Sequence, residues 1–212
     1  MNGKTVMACI DAARASLEAH ADEIASLDQA IGDGDHIINL LRGMDALAAL
    51  RAQIEAEAFA PALKLAAAKV LSTVGGSSGP LFFSMLTGIA KASSGDADDA
   101  GVAAFARAFA AGVEAVGQRG KTGTGSKTMM DVLIPVAGRF TAMADAGASK
   151  KEVLDELPRV AEENMLATRD MLATKGRASF LGERSRGHID PGARSSQLMI
   201  AAVCAQIARD DA

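Results

Sequence analysis

Apolar side chains recur every three or four residues along most of the chain, and short polar stretches rich in Gly, Pro, Ser and Asp separate the runs. Val6, Met7, Ile10, Ala13, Leu17, Ile24 and Leu27 keep that spacing, which predicts a first helix over residues 4–27 that ends at an aspartate-rich turn. Ile38, Leu41, Met44, Leu47 and Leu50 predict a second over 36–56. Pro61 suits the opening of a third, through Val70, because its fixed φ is helical and its missing N–H has no partner in a first turn. The stretch 73–80 is too rich in glycine to be helical. A fourth helix is expected over 80–91, then a polar loop over 93–99 and a fifth helix over 100–116.

Residues 117–125 form a second glycine-rich loop, and Thr128 is placed to cap a sixth helix through residue 145, which Pro135 should bend. Ser149 and Glu152 have the spacing of a capping box and start a seventh helix to about 172, with Pro158 marking a kink or a late start. A long polar loop, 175–190, leads to Asp190 and Pro191, a cap and first-turn pair for a last helix reaching 208. Eight helices and no strand result, so the fold class is all-α. Composition agrees: aromatic residues are 3%, with no Trp or Tyr, which starves a sheet of its usual residues. A chain of 212 residues supplies one sizeable core, and 1–212 is read as a single domain.

The formal charge of −4, with Lys and Arg scattered, argues against a nucleic-acid partner. No apolar run approaches the roughly 20 residues needed to span a bilayer, and the N-terminus lacks a signal pattern, so no membrane is expected and the location is read as cytoplasmic. Cys9 and Cys204 lie inside apolar helical patterns and are read as buried free thiols.

The chemistry concentrates at Asp28-Gln-Ala-Ile-Gly-Asp33-Gly-Asp35-His36, where three carboxylates crowd a glycine-hinged turn. Two carboxylates about 5 Å apart repel by roughly 3 kcal/mol at an effective dielectric near 20, so the cluster calls for a hard dication such as Mg²⁺, and Mg²⁺ commonly completes its shell with phosphate oxygens. The loops 28–36, 73–80, 117–128 and 175–192 are alternate connections, and in an up-and-down bundle they meet at one end. Glycine turns feeding helix N-termini bind phosphate, with Ser77, Ser78 and Thr128 adding hydroxyls. Arg177, Arg184 and Arg186 lie in the longest polar segment, and a guanidinium fork suits phosphate. Residues 120–128 are not a P-loop, since Ser126 stands where the lysine belongs, and Gly32-Asp-Gly34 lacks the third glycine of a dinucleotide fingerprint. His20 is read as a surface residue and His188 as a loop anchor. No Ser/His/Asp or Cys/His arrangement suggests covalent catalysis.

Taken in order, Asp28-x4-Asp33-Gly-Asp35-His36-x2-Asn39, Ser78-Gly-Pro-Leu81, Arg119-Gly-Lys121, Lys127-Thr-Met129-x-Asp131, the run from Gly176 to Ser185 and Asp190-Pro-Gly192 resemble the L subunit of dihydroxyacetone kinases. The resemblance implies a barrel of eight antiparallel helices with ADP or ATP at one end. It implies that Asp28, Asp33 and Asp35 hold two Mg²⁺ ions bridging the phosphates. His36, Ile37, Ile38, Asn39, Ser77, Ser78, Gly120 and Thr128 would line the nucleotide, with Met129, Arg177, Asp190, Pro191 and Gly192 around its base and sugar. A separate K subunit would hold the triose, and a phosphohistidine protein of the phosphoenolpyruvate-dependent phosphotransferase system would recharge bound ADP. A homodimer is compatible with this reading. Rivals are a subunit using free ATP directly on a three- or four-carbon sugar, and a nucleotide-binding partner of a transcription factor. The chain departs from the family at Ile37, where glycine is usual, at Ser126, usually acidic, and at Phe82 and Phe180, usually tyrosines. These departures point towards a paralogue for another small ketose or aldose.

Overall fold

The computed structural model describes residues 1–93 and 101–210, and among them every regular element is helical. The helices are α1 (Gly3–Ala19), α2 (Ala21–Ile31), α3 (His36–Ala48), α4 (Arg51–Glu55), α5 (Phe59–Thr73), α6 (Ser78–Ala92), α7 (Val102–Gly120), α8 (Met130–Asp145), α9 (Lys150–Ala167) and α10 (Pro191–Asp210). Two 3-10 segments, Thr168–Asp170 and Arg177–Ser185, lie between α9 and α10. The polar loop expected at 93–99 and the helix start expected at 100 fall, apart from Ser93, outside the described residues.

From α5 to α10 each helix packs on the next, α10 packs on α1, and α1 and α3 lead back to α5, so eight helices close a ring. This is the all-α barrel expected. The short α2 and α4 brace the ring from the ends, α2 against α3 and α10, α4 against α1 and α5. Leu63, Phe82, Phe105, Phe140, Val203 and Cys204 are among the residues lining an apolar cavity of about 910 Å³ inside the ring, which extends to His36, Met129 and Gly192 at one mouth. No helix among the described residues is long and apolar enough to cross a membrane.

Several boundaries differ from expectation for identifiable reasons. The helix expected over 4–27 is two helices broken at His20. There the imidazole Nδ1 takes the Ser16 carbonyl at 2.8 Å, the acceptor that the His20 backbone N–H needs, and that N–H turns to Leu17 instead. The helix expected over 36–56 breaks after Ala48, where Leu50 N bonds Leu47 O in a 3-10 turn. Pro61 sits at the third position of α5 rather than the first; all first-turn N–H groups lack intrahelical partners, so the helix can begin at Phe59 at no cost. Gly79 and Pro80 belong to α6, and Gly117 and Gly120 to α7, so both glycine turns are shorter than their composition suggested. Lys121, with φ 48°, closes α7 in the left-handed conformation. The Ser149–Glu152 capping box is present in both directions.

Candidate functional site

The α2–α3 turn brings Asp28, Asp33 and Asp35 together with a ligand oxygen from each within 4.8 Å of the others. Asp28 is buried at the end of α2, whereas Asp33 and Asp35 are exposed on the turn. The backbone explains the clustering. A side chain at Gly32 would lie 2.0 Å from Asp28 Oδ1, so only glycine lets the chain fold back over that carboxylate. Asp28 Oδ2 accepts the backbone N–H of His36 at 3.0 Å, which fixes one oxygen and couples the triad to the start of α3. Three oxygens at this separation, two of them open to solvent, fit a hard dication that keeps part of its shell for other ligands.

The remaining connections converge on this turn. Arg177 Nη2 stands 2.8 Å from Asp33 Oδ2, linking the 3-10 segment Arg177–Ser185 to the triad. Gly75 runs so close to Asn39 that a Cβ there would lie 2.7 Å from its Oδ1, which places the α5–α6 turn beside the first turn of α3. Ser77 and Ser78 stand at the start of α6, and neither uses its hydroxyl to cap that helix. Thr174 N donates to Ser126 O at 3.2 Å, joining the α7–α8 turn to the segment after α9. The four connections therefore do gather at one end.

Position by position, the residues singled out in the sequence divide. Ile38 is 57% exposed, but Ile37 is 4% exposed and packs in a core cluster with Leu17, Ile24, Leu40 and Leu198, so Ile37 offers a ligand its backbone alone. Asn39 is buried and accepts from Arg42 at 3.0 Å. Gly120 ends α7; the N-cap of α8 is Met129 rather than the expected Thr128, whose Oγ1 accepts from Met130 N at 3.2 Å in the turn that precedes the helix. Asp190 caps α10, accepting from Ala193 N at 2.7 Å, with Pro191 and Gly192 forming the first turn. His188 donates no side chain to the site; its carbonyl, not its ring, is the anchor.

Three contributors were given no role in the sequence reading, although Lys127 and Asp131 lie in one of its motifs. Ser195, 1% exposed, donates to Gly192 O at 3.1 Å and meets His36 Nε2 at 3.0 Å. With its one hydrogen directed at Gly192, Ser195 is satisfied when Nε2 carries the hydrogen and donates to it. Burial pushes the His36 imidazole below its ordinary pKa, partly offset by the Asp28 and Asp35 carboxylates. Asp131, 3% exposed, accepts from Thr128 N at 2.8 Å and from Gly125 N. The Thr-x-x-Asp spacing from Thr128 to Asp131 is the signal that could have found it. Lys127 is buried beside it, its ammonium turned inwards.

Burial drives the Asp190 carboxyl up to about 7, against the Ala193 N–H and the Lys127 ammonium, which pull it down. A carboxyl held above its unfolded value of about 4 favours folding in its protonated form. That contribution is complete below about pH 4 and is lost as pH rises through about 7. Asp190→Asn keeps an oxygen for Ala193 and cannot ionise. In melts without nucleotide, wild-type stability should therefore decline relative to the variant between pH 4 and 7, and a gap that stays constant across that range would contradict the assignment.

Fold and site together define a class: an all-α barrel domain with a carboxylate triad and a loop arginine at one mouth. Residues 30–205 match the DAK2 domain, and the chain belongs to the DAK2 domain family. It is 39% identical over 180 residues to the PEP-dependent dihydroxyacetone kinase 1, ADP-binding subunit DhaL, of Listeria innocua, a match covering 85% of this chain and 84% of the relative. The corresponding Escherichia coli subunit is 36% identical over 180 residues, covering 85% of each. Among solved structures, the dihydroxyacetone kinase of C. freundii in complex with AMP-PNP and Mg²⁺ superposes with a TM-score of 0.71 at 20% identity; it covers 94% of this chain, which spans 33% of that longer one. The similarity to dihydroxyacetone kinase L subunits, read first from the loop motifs, thus extends over most of the chain, and its relatives are named as subunits of a phosphotransferase.

Proposed function

We propose that this chain is the nucleotide-carrying subunit of a dihydroxyacetone-type kinase. It would hold Mg-ADP while a phosphohistidine protein of the phosphotransferase system supplies the phosphoryl group and a separate K-type subunit presents the small ketose that takes it up. The observation that carries the reading is the aspartate triad, three carboxylates within 4.8 Å facing an arginine and an open helix start. The printed names of the relatives, PEP-dependent and ADP-binding, support it, as does the AMP-PNP and Mg²⁺ of the C. freundii structure.

Asp28, Asp33 and Asp35 would hold the magnesium, as a pair of ions. Magnesium bound there would neutralise phosphate charge. The chain's own groups do the positioning. The N–H groups at the start of α6, with Ser77 and Ser78, would add donors there, since Gly75 brings that turn against Asn39, and Arg177 can exchange its pairing with Asp33 for phosphate oxygens. His36 to Asn39, Gly120 and Thr128 would flank that corner, and Met129 with Asp190, Pro191 and Gly192 would form the wall for base and sugar. Ser195 and His36 resemble a nucleophile and base only superficially: Ser195 is 1% exposed and already donates to a carbonyl, so transfer passes directly between bound partners. No step requires a membrane, and the whole chain, 1–212, acts as one unit in this scheme.

With no Trp or Tyr, the purified protein absorbs at 260 nm almost solely through bound nucleotide. The expected spectrum has that band, and calorimetry on stripped protein shows Mg-ADP binding. With the K subunit present, phosphotransferase proteins and phosphoenolpyruvate should sustain many turnovers on dihydroxyacetone, while ATP alone gives about one. Sustained turnover on ATP alone points to the direct kinase instead, and protein that neither carries nor binds Mg-ADP ends the proposal.

A further inference from the structure

Lys127 takes no part in the scheme above, yet it is the largest fully buried side chain, 1% exposed. Its ammonium donates to the carbonyl oxygens of Thr168 at 2.6 Å, of His188, and of Arg169 at 3.4 Å. An ammonium has three hydrogens, so these acceptors use it fully and leave nothing for a phosphate. The backbone of Lys127 is left-handed, φ 58°, which aims the side chain into the protein while Thr128 and Met129 continue into α8.

The three carbonyls belong to two segments, 168–170 and 186–190, which are themselves tied: Gly187 N donates to Arg169 O at 2.8 Å, and Asp190 N to Thr168 Oγ1 at 3.1 Å. Asp190 in turn caps α10 through Ala193. One ammonium thus fixes the α7–α8 turn to the start of α10. Across that seam a Cβ at Gly192 would stand 3.7 Å from Met129, so the two residues lie side by side where both line the cavity. The triad and the Ser77–Ser78 turn stand on other connections, α2–α3 and α5–α6, and are joined to the segments that Lys127 holds through the exposed Arg177–Asp33 pair and the His36–Ser195 contact.

We propose that Lys127 is a positioning residue that fixes Met129 and Gly192 relative to one another, and so governs grip on the nucleoside part of the ligand more than on the metal-phosphate part. The inference rests on the nucleotide reading above and adds a division of labour to it. The lysine acts through carbonyls, and the ligand meets only the walls it holds.

Calorimetry on the full chain with two probes, Mg-ADP and Mg-pyrophosphate, separates the parts. Lys127→Met should weaken Mg-ADP by roughly 10- to 100-fold, the scale of a misplaced binding wall, and weaken Mg-pyrophosphate several-fold less, the part that Arg177 carries. A general loss of structure moves both probes alike. If Lys127→Met does not fold, Thr168→Val keeps the Thr168 carbonyl for the ammonium but deletes the oxygen that receives Asp190 N, and should give the same unequal loss, smaller, at roughly tenfold or below. Equal losses for both probes, or an unchanged Mg-ADP affinity, overturn the proposal. Wild-type protein that binds neither probe removes the nucleotide reading and this inference together, whereas wild-type protein that binds both tests Lys127 alone.

Discussion

Asp35→Asn is expected to lose Mg-ADP binding by on the order of 100-fold or more while the ligand-free protein stays folded. Removing a group that merely orients a metal ligand typically costs about 10- to 100-fold in affinity, so deleting a ligand oxygen sets that as the floor. Folding should not suffer, because Asp35 is exposed and its charge is one of three crowded within 4.8 Å. Each such pair repels by roughly 3 kcal/mol at about 5 Å and an effective dielectric near 20, and exposure to solvent screens this further. The apo variant should therefore melt at or slightly above the wild-type temperature. In saturating Mg-ADP the order reverses, since ligand at about 100 times its Kd stabilises wild type by roughly 2.7 kcal/mol. Asp33→Asn should behave alike, although it also frees Arg177 from its 2.8 Å pairing and so mixes two effects. Calorimetry with and without Mg²⁺, alongside thermal melts, reads both halves. Asp35→Asn protein that binds Mg-ADP as wild type does would take the triad out of the metal site.

Asp131→Ala should produce the largest loss of stability among the site residues considered, roughly 2–4 kcal/mol, because it leaves two backbone N–H groups, at Gly125 and Thr128, without their acceptor. For a chain of this length that is a fall in melting temperature of about 5–15 °C. The carboxylate is 3% exposed, so water does not readily replace it. Asp131→Asn retains one acceptor oxygen and should lose about half as much. An exposed cap provides the contrast: Ser149→Ala, at the capping box of α9, should cost only about 1 kcal/mol. Urea titrations of the three variants give the ranking, and an Asp131→Ala protein within about 1 kcal/mol of wild type would mean that the α7–α8 turn does not depend on this carboxylate.

What could be read from the sequence is what the sequence keeps close together. Asp28, Asp33 and Asp35 sit within eight positions, so their grouping needed only a turn, and Gly32 announced one. The Ser149–Glu152 box and the Asp190 cap are contacts over three residues and were equally visible. The inward aim of Lys127 was not, since its acceptors lie 41 to 61 residues away and its motif placed it beside a suspected phosphate loop. Ser195 meets His36 across 159 residues and sits in an unremarked stretch of α10. The break at His20 escaped periodicity because the apolar stripe runs through it, Leu17 to Ile24 spanning two turns; a side chain competing for one carbonyl leaves no trace in hydropathy. Ile37 was placed at the ligand by family position, and its place in the stripe, beside Leu40, puts its side chain in the core and leaves its backbone for that role.

The ring is closed by α1 against α10, elements from opposite ends of the sequence. During synthesis the aspartate turn leaves the ribosome some 160 residues ahead of Ser195, the partner that settles His36 next to it. A nascent chain can stack α5 to α9 pairwise as they emerge, each against its predecessor. The last stave is different, for joining such remote segments carries the greatest loop entropy in the molecule, and the mouth acquires its finished outline only when that seam seals.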